Sequence, residues 1–140
     1  MKRKATAVWQ GTGKEGNGHL STQSGVLEKT QYSYLSRFEQ GIGTNPEELI
    51  AAAHAGCFTM AFSGFLGRAG YEATSIETKA VVHVEKEEAG FSIPRIDLIT
   101  EAVVPNITDE EFQTVAKDAK EKCPVSRVLA GAEISLSAGA

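Results

Sequence analysis

The sequence has few cysteines, no excess of positive charge and no apolar run of the kind that follows the cationic start of a secretory signal. Two cysteines in 140 residues cannot build a disulfide scaffold, and they lack the paired spacing of a zinc site. The formal net charge of -4 provides no broad cationic surface, so nucleic acid and anionic membrane are not expected partners. No apolar run follows the cationic N-terminus, and a cytoplasmic location is therefore expected.

Length and composition predict one globular domain over residues 1–140. Hydrophobic residues make up 41% of the chain and charged residues 23%, which is close to the average for folded proteins. The longest stretch without a charged residue is Leu49 to Gly67. Because it contains His54 and several hydroxyl and glycine residues, it is interpreted as a buried helix of a soluble protein.

Alternating patterns predict the strands. Short β-like runs occupy Ala5–Trp9, His19–Ser24 and Tyr32–Arg37, and the glycine-rich segment between the first two lacks the Gly-Lys-Ser/Thr ending of a phosphate loop. Residues 75–86 and 96–104 alternate as the two arms of an antiparallel hairpin, and Glu133–Ser137 forms a final strand. Pro94 predicts an edge position or a bulge near the start of the second arm.

Two helices have clear start signals. The first begins with Asn45 as the cap, Pro46 at the first position and Glu47 and Glu48 at the positive end of the dipole, and it should reach about Ala69. Its interior is apolar or small on every side, so a second copy of the chain is expected to cover it in a homodimer. The second helix runs from the capping box at Thr108 to about residue 122, and Pro124 then opens a short helical turn.

Cysteine reacts as a thiolate, so each cysteine must be judged by what stabilises negative charge at its sulfur. Cys57 lies in the apolar helix, where burial would raise its pKa, whereas Cys123 precedes a helical N-terminus; local reasoning favours Cys123. His54, three residues before Cys57, leaves open a Cys-His nucleophilic pair for acyl transfer. His19 and His83 have no partners in sequence, and no metal site is predicted.

Two motifs carry a family resemblance. The first motif comprises Asn45–Leu49 and Ala55–Phe58, and the second is Cys123–Ser126. In this order they resemble the thiol peroxidases of the osmotically inducible protein C (OsmC) and organic hydroperoxide resistance (Ohr) family. The resemblance covers about Trp9 to Leu136. Ser36-Arg37-Phe38-Glu39 and His54 are similar to the OsmC branch, although Gly56 replaces the alanine common before the reactive cysteine.

The resemblance implies an α+β fold, namely an intertwined homodimer with long central helices wrapped by antiparallel β-sheets and active sites at the interface. It implies that Cys57 is the peroxidatic cysteine and Cys123 the resolving one, which reverses the local preference. Arg37 would supply the cation that favours the Cys57 thiolate, and Glu47 would hold its guanidinium. Ten helical residues rise about 15 Å, so Glu47 and Cys57 of one continuous helix cannot share a site. Either the helix begins after Pro46 or the partner chain contributes one of them.

The implied reaction reduces organic hydroperoxides through a Cys57 sulfenic acid that Cys123 converts to a disulfide. A dithiol, such as that of a lipoylated protein, would then reduce the disulfide, and no bound cofactor is needed. Apolar neighbours of the thiol would favour organic peroxides, although the same side chains fit an ordinary core: Phe58, Met60, Phe62 and Phe65. The alternative function is a non-enzymatic stress or small-ligand-binding protein with inert or structural cysteines.

Overall fold

The computed structural model describes all residues from Met1 to Ala140, which form two compact units, Met1–Leu49 and Ile50–Ala140. Helix α2, Pro46–Arg68, begins in the first unit and continues in the second. The mixture of helices and sheets agrees with the α+β class expected from the sequence. The assignment of residues 1–140 to a single domain stays a prediction.

The N-terminal unit is a three-stranded antiparallel sheet followed by a short helix. Strands β1 (Ala5–Gln10), β2 (Asn17–Thr22) and β3 (Thr30–Tyr32) lie in the order β1-β2-β3, and the next element is helix α1 (Tyr34–Phe38). The third predicted strand, Tyr32–Arg37, is therefore wrong beyond its first residue.

A capping box explains this difference. The Ser36 backbone N–H donates to the Ser33 hydroxyl at 3.2 Å, and the Ser33 backbone N–H donates to the Ser36 hydroxyl at 2.8 Å. These two bonds satisfy backbone donors at the start of a helix, so the chain turns at Ser33 although its side chains suit a strand.

The C-terminal unit has a mixed sheet. Strands β4 (Ser75–Glu87) and β5 (Gly90–Val103) form the predicted antiparallel hairpin, and β6 (Glu133–Gly139) pairs with β5 in parallel. The crossover to a parallel strand is made by helices α3 (Asp109–Lys122) and α4 (Pro124–Val128). The expectation of wholly antiparallel sheets is thus corrected for β6, whose direction depends on this crossover.

Pro94 lies opposite the irregularity that the sequence predicts. His83 pairs with Arg95 and Glu85 pairs with Ser92, so the register shifts between His83 and Glu85. Because proline cannot donate to a β-ladder, a bulge lets β5 occupy the middle of the sheet.

The core of the C-terminal unit lies between helices α2 and α3 and the inner face of the sheet. Phe58, Phe62 and Leu66 of α2 are fully buried, as are Leu98 of β5 and Phe112 of α3. The rings of Phe62 and Phe112 meet edge to face with centroids 5.4 Å apart. This packing fixes one face of α2 and turns the Cys57 region toward α3.

The remaining surface of α2 lacks cover within the chain. Met60 is 81% exposed, and only 22% of the most apolar eighteen-residue window of the helix is buried. The helix is long and apolar enough to cross a membrane by length and composition alone, a test that the core helix of a soluble protein also passes. A single copy of the chain therefore leaves exposed the helix that the sequence pattern predicts to be buried.

Candidate active site

The fold brings the two cysteines together. Cys57 lies half-buried on α2, and Cys123 is fully buried between the end of α3 and the start of α4. The Cys123 thiol donates a hydrogen bond to the Cys57 sulfur at a distance of 2.8 Å. Both are free thiols, and they are close enough for a disulfide to form after a small movement.

The surroundings of Cys57 within its own unit favour the thiol. Burial raises the pKa of Cys57, and the hydrogen bond with Cys123 raises it further, while the Val125 backbone amide lowers it. None of these causes is a nearby cation. These contacts bring no positive charge to the Cys57 sulfur.

A cavity of about 390 Å³ opens beside Cys57. Two cations reach it, but both stack on the ring of Phe65: the Arg68 guanidinium carbon lies 5.2 Å and the Lys122 Nζ 5.7 Å from the ring centroid. The other lining residues are mostly apolar or small: Met60, Ala61, Gly64 and Pro124. The thiol thus faces an accessible and largely apolar space.

The predicted apolar surroundings of Cys57 divide into two groups. Phe58 and Phe62 are fully buried core residues and line no cavity at the thiol, whereas Met60 and Phe65 do line it. The interpretation as an ordinary core is therefore right for the first pair, because these two side chains point toward α3 and the sheet.

Arg37 and Glu47 meet in the N-terminal unit. Arg37 Nε donates to Glu47 Oε1 at 2.6 Å. The Glu47 carboxylate is nearly buried, with 8% of its side chain exposed, whereas the Arg37 side chain is 42% exposed. The second carboxylate oxygen, Oε2, is buried without a hydrogen-bond partner. The guanidinium is thus held at one edge by the carboxylate, and its carbon lies over the Phe38 ring, 4.9 Å from the ring centroid.

Asn45 explains how this pair forms. Its side-chain amide donates to the Ser36 carbonyl at 3.1 Å, and its Oδ1 accepts from the Glu48 backbone N–H at 2.7 Å. The residue predicted as the cap of α2 therefore also fastens that helix start to α1, which carries Arg37.

Gly43 places the same connection against β3. Its φ of 111° lies in the region that favours glycine, and a Cβ there would lie 2.1 Å from the Gln31 carbonyl oxygen. The adjacent Thr44 backbone N–H donates to that oxygen at 2.9 Å. A side chain at position 43 would move the start of α2 and, with it, Glu47.

An aromatic cavity adjoins Arg37, and the sequence patterns do not predict it. Its volume is about 240 Å³, and it is lined by Trp9, Gly13, Tyr32, Ser33, Tyr34, Arg37 and Phe38. The rings of Trp9 and Tyr32 have centroids 5.4 Å apart. The aromatic residues on β1, β3 and α1 were a signal in the sequence, but only the pairing of the strands shows that they converge.

His54 does not pair with Cys57. Its Nε2 shares a hydrogen bond of 2.6 Å with the Ser126 hydroxyl, and its Nδ1 is buried without a partner. Burial lowers the pKa of His54 below its ordinary value. The Cys-His nucleophilic pair left open by the sequence is therefore not formed, because the imidazole points toward α4 rather than along α2 toward the thiol.

The start of α2 bears on one of the two alternatives given for Glu47 and Cys57. The helix begins at Pro46 and runs unbroken to Arg68, so a later start is excluded. Ten residues of continuous helix separate the two side chains by about 15 Å along the axis.

The sequence is similar to proteins of known type over nearly its whole length. The family model described as "OsmC-like protein" matches residues 39–137. The peroxiredoxin OsmC of Escherichia coli (strain K12) is 51% identical over 136 residues, which are 97% of this chain and 94% of that protein. The organic hydroperoxide resistance protein OhrB of Bacillus subtilis is 30% identical over 115 residues, 81% of this chain and 82% of the relative.

Solved structures agree with the sequence comparison. A crystal structure of an organic hydroperoxide resistance protein from Elizabethkingia anophelis superposes with a TM-score of 0.79 at 28% identity, covering 99% of this chain and 96% of the other. The structure of Bacillus subtilis OhrB gives a TM-score of 0.74 at 26% identity, covering 96% and 97%. The chain therefore belongs to the OsmC-like protein family.

Proposed function

We propose that this protein is a cysteine-based peroxidase that reduces organic hydroperoxides to alcohols in defence against oxidative or osmotic stress. The peroxidase class is supported by the 51% identity to a peroxiredoxin. The observation that carries the chemistry is the 2.8 Å separation of the Cys57 and Cys123 sulfurs, because a sulfenic acid at one can be captured by the other.

The reaction proceeds in two steps on the protein. The Cys57 thiolate attacks the terminal peroxide oxygen, the O–O bond breaks, the alkoxide leaves as alcohol after taking up a proton, and Cys57 becomes a sulfenic acid. The Cys123 sulfur then attacks the Cys57 sulfur, and the S–O bond breaks while a disulfide forms. Hydroxide leaves with the Cys123 proton as water.

A dithiol returns the enzyme to its starting state by thiol–disulfide exchange, and a lipoylated protein is the reductant we propose. The exchange transfers two electrons and two protons to the cysteines and leaves the reductant as a disulfide. The cycle involves no bound cofactor, and the cytoplasm is the compartment that supplies such reductants.

Arg37 is proposed to come from the partner chain of a homodimer. Burial raises the pKa of Cys57 within its own unit, so a cation must be brought to the sulfur. Glu47, the ion-pair partner of Arg37, lies ten residues before Cys57 on the same continuous helix, which separates it from the thiol of its own chain. A second copy seated on the exposed face of α2 would bury Met60 and can offer its own Arg37–Glu47 pair.

The aromatic cavity beside Arg37 is proposed to hold the organic part of the substrate. A guanidinium donates to the peroxide oxygens, while the rings of Trp9, Tyr32 and Tyr34 bury an alkyl or aryl group. Hydrogen peroxide gains nothing from these rings, so the arrangement favours peroxides that carry carbon.

Subunit complementation tests the proposal. Cys57→Ser and Arg37→Ala chains, carrying different tags, are co-expressed, and the heterodimer is assayed with cumene hydroperoxide and a lipoyl dithiol. If Arg37 acts across the interface, one of the two sites contains both Cys57 and Arg37, and the heterodimer has about half of the wild-type activity. Both homodimers of the variants should be nearly inactive.

Two outcomes contradict different parts of the proposal. An inactive heterodimer would show that Arg37 serves the Cys57 of its own chain. A wild-type protein that consumes cumene hydroperoxide no faster than Cys57→Ser would remove the peroxidase function itself and favour the non-enzymatic alternative.

A further inference from the structure

One buried polar contact joins helix α2 to the turn that carries Cys123. His54 Nε2 and Ser126 Oγ lie 2.6 Å apart, and the two residues are 0% and 5% exposed. They are separated by 72 positions in sequence, so the contact depends on the tertiary fold. The proposed reaction assigns no step to either residue.

Helix α4 needs such a contact to keep its position. It has five residues, too few to be stable as an isolated helix. Val125 packs partly against the core, and the His54–Ser126 contact joins a side chain of α4 to a side chain of α2. Inside a protein, where the dielectric is low, a hydrogen bond between buried groups is electrostatically stronger than in water.

The same turn controls both sulfurs through its backbone. The Ser126 backbone N–H donates to the Cys123 sulfur at 3.5 Å, and the Val125 backbone amide lowers the pKa of Cys57. Cys123 caps the start of α4, so a displacement of α4 moves its sulfur directly. A shift of about 1 Å is enough to slow a reaction that requires aligned atoms.

We propose that His54 and Ser126 are positioning residues that hold α4 against α2, so that Cys123 meets the Cys57 sulfenic acid faster than a second peroxide molecule does. This inference rests on the proposed function. The step it governs joins Cys57–SOH and Cys123–SH into a disulfide and releases water. When that step is slow, another peroxide oxidises the sulfenic acid to sulfinic acid, and the cysteine is lost to the cycle.

Burial keeps the contact constant near neutral pH. The pKa of His54 is lowered by desolvation, so the imidazole is neutral where the enzyme works. The group that faces it from α4 is the Ser126 hydroxyl. A neutral imidazole adds no charge that would alter the attack of Cys57 on peroxide, which separates positioning from acid–base catalysis.

The experiment compares Ser126→Ala, which removes the hydroxyl, with Ser126→Thr, which keeps one. Ser92→Ala is the matched control, because its hydroxyl bonds Glu87 on the surface. Rapid mixing with cumene hydroperoxide, followed by acid quench and mass spectrometry, measures the sulfenic acid, the disulfide and the sulfinic acid over time. The first step is measured separately in the Cys123→Ser background.

We expect disulfide formation in Ser126→Ala to be about tenfold slower, with more sulfinic acid per turnover, and the first step to change less than twofold. Ser126→Thr should form the disulfide at a rate close to that of wild type. Disulfide formation should also be faster in His54→Gln than in His54→Ala. An unchanged resolving rate in Ser126→Ala, or equal slowing of both steps, would overturn the positioning role.

A second measurement does not depend on peroxidase activity. Equilibration with reduced and oxidised glutathione gives the effective concentration of Cys123 toward Cys57. Ser126→Ala should lower this concentration about tenfold, and Ser92→Ala should leave it unchanged. If the wild-type protein fails to react with cumene hydroperoxide, the proposed peroxidase function is wrong, but the glutathione equilibrium still tests the positioning role. An unchanged effective concentration in Ser126→Ala would refute the positioning role.

Discussion

Arg37 donates from Nε to the Oε1 atom of Glu47 at 2.6 Å, and this pair is held by residues that the sequence marks as helix caps. The nearly buried carboxylate fixes the guanidinium at one edge, and we propose that its other nitrogens bind a sulfur or a peroxide.

Substituting Glu47 tests the value of this orientation. In Glu47→Gln the charge-assisted bond is lost and the guanidinium gains rotational freedom, so kcat/KM for cumene hydroperoxide should fall about ten- to a hundredfold. The control is Glu48→Gln, whose carboxylate accepts from the Thr44 hydroxyl instead. Steady-state kinetics that showed equal losses in both variants would point to damage at the start of α2 rather than to Arg37.

The pH at which the Cys57 thiol ionises tests whether the Arg37 guanidinium acts on it. Burial and Cys123 raise the pKa of Cys57, so Arg37→Ala should have a thiol that ionises only well above neutrality. The comparison uses proteins in which Cys123 is replaced, so that only Cys57 can react. Cys123→Ser should react with iodoacetamide at lower pH than the double variant Arg37→Ala/Cys123→Ser. Coincident pH–rate profiles would mean that the guanidinium does not reach the sulfur.

The exposed face of α2 predicts the oligomeric state. Met60 is 81% exposed in one chain, so Met60→Glu should leave the subunit core intact but place an unpaired charge in a dimer interface. We expect the dimer dissociation constant to rise at least about a hundredfold, as measured by sedimentation velocity. Val26, which is 84% exposed at a turn outside α2, supplies the control Val26→Glu. A Met60→Glu protein that stays dimeric would place the interface elsewhere.

The aromatic cavity predicts substrate preference. Trp9→Ala removes a ring that packs on Tyr32, so kcat/KM should drop about tenfold for cumene hydroperoxide and change little for hydrogen peroxide. Peroxide-consumption assays with both substrates measure the ratio. The cavity would have no part in specificity if the two substrates lost the same factor.

His54 predicts an acid-sensitive contribution to stability. Its folded-state pKa lies below the ordinary value of 6.5, so above that pH both states are neutral and no penalty arises. Below it the unfolded chain binds a proton that the folded chain does not, and the free energy of unfolding falls by up to about 1.4 kcal/mol per pH unit. Urea titrations at fixed protein concentration, near about pH 7.5 and about pH 5.5, should show this loss in wild type but not in His54→Gln.

His19→Gln controls for the removal of a histidine as such, because its half-buried side chain lies on β2, in a different compact unit from His54. A pH dependence of His54→Gln equal to that of wild type would show that His54 is protonated in the folded protein.

Local patterns anticipated much of the fold. The start of α2 at Pro46, the β4–β5 hairpin and the bulge opposite Pro94 are confirmed, because caps, alternation and proline act over a few residues. The strand predicted over Tyr32–Arg37 is wrong, since the two-serine capping box outweighs the β propensity of the side chains. The parallel addition of β6 also escaped prediction, because it depends on where a distant crossover ends.

The sequence by itself determined the apolar character of α2, the caps that begin both long helices and the two-motif pattern that identifies the family. Tertiary structure alone decided that Cys123 reaches Cys57, that His54 binds Ser126 instead of the neighbouring thiol, and that four aromatic residues converge beside Arg37. The physical reason is the distance along the chain over which each kind of interaction acts. Helix caps and periodicity are satisfied within a turn or two of chain, whereas a sulfur–sulfur contact across 66 residues exists only when packing has placed both helices.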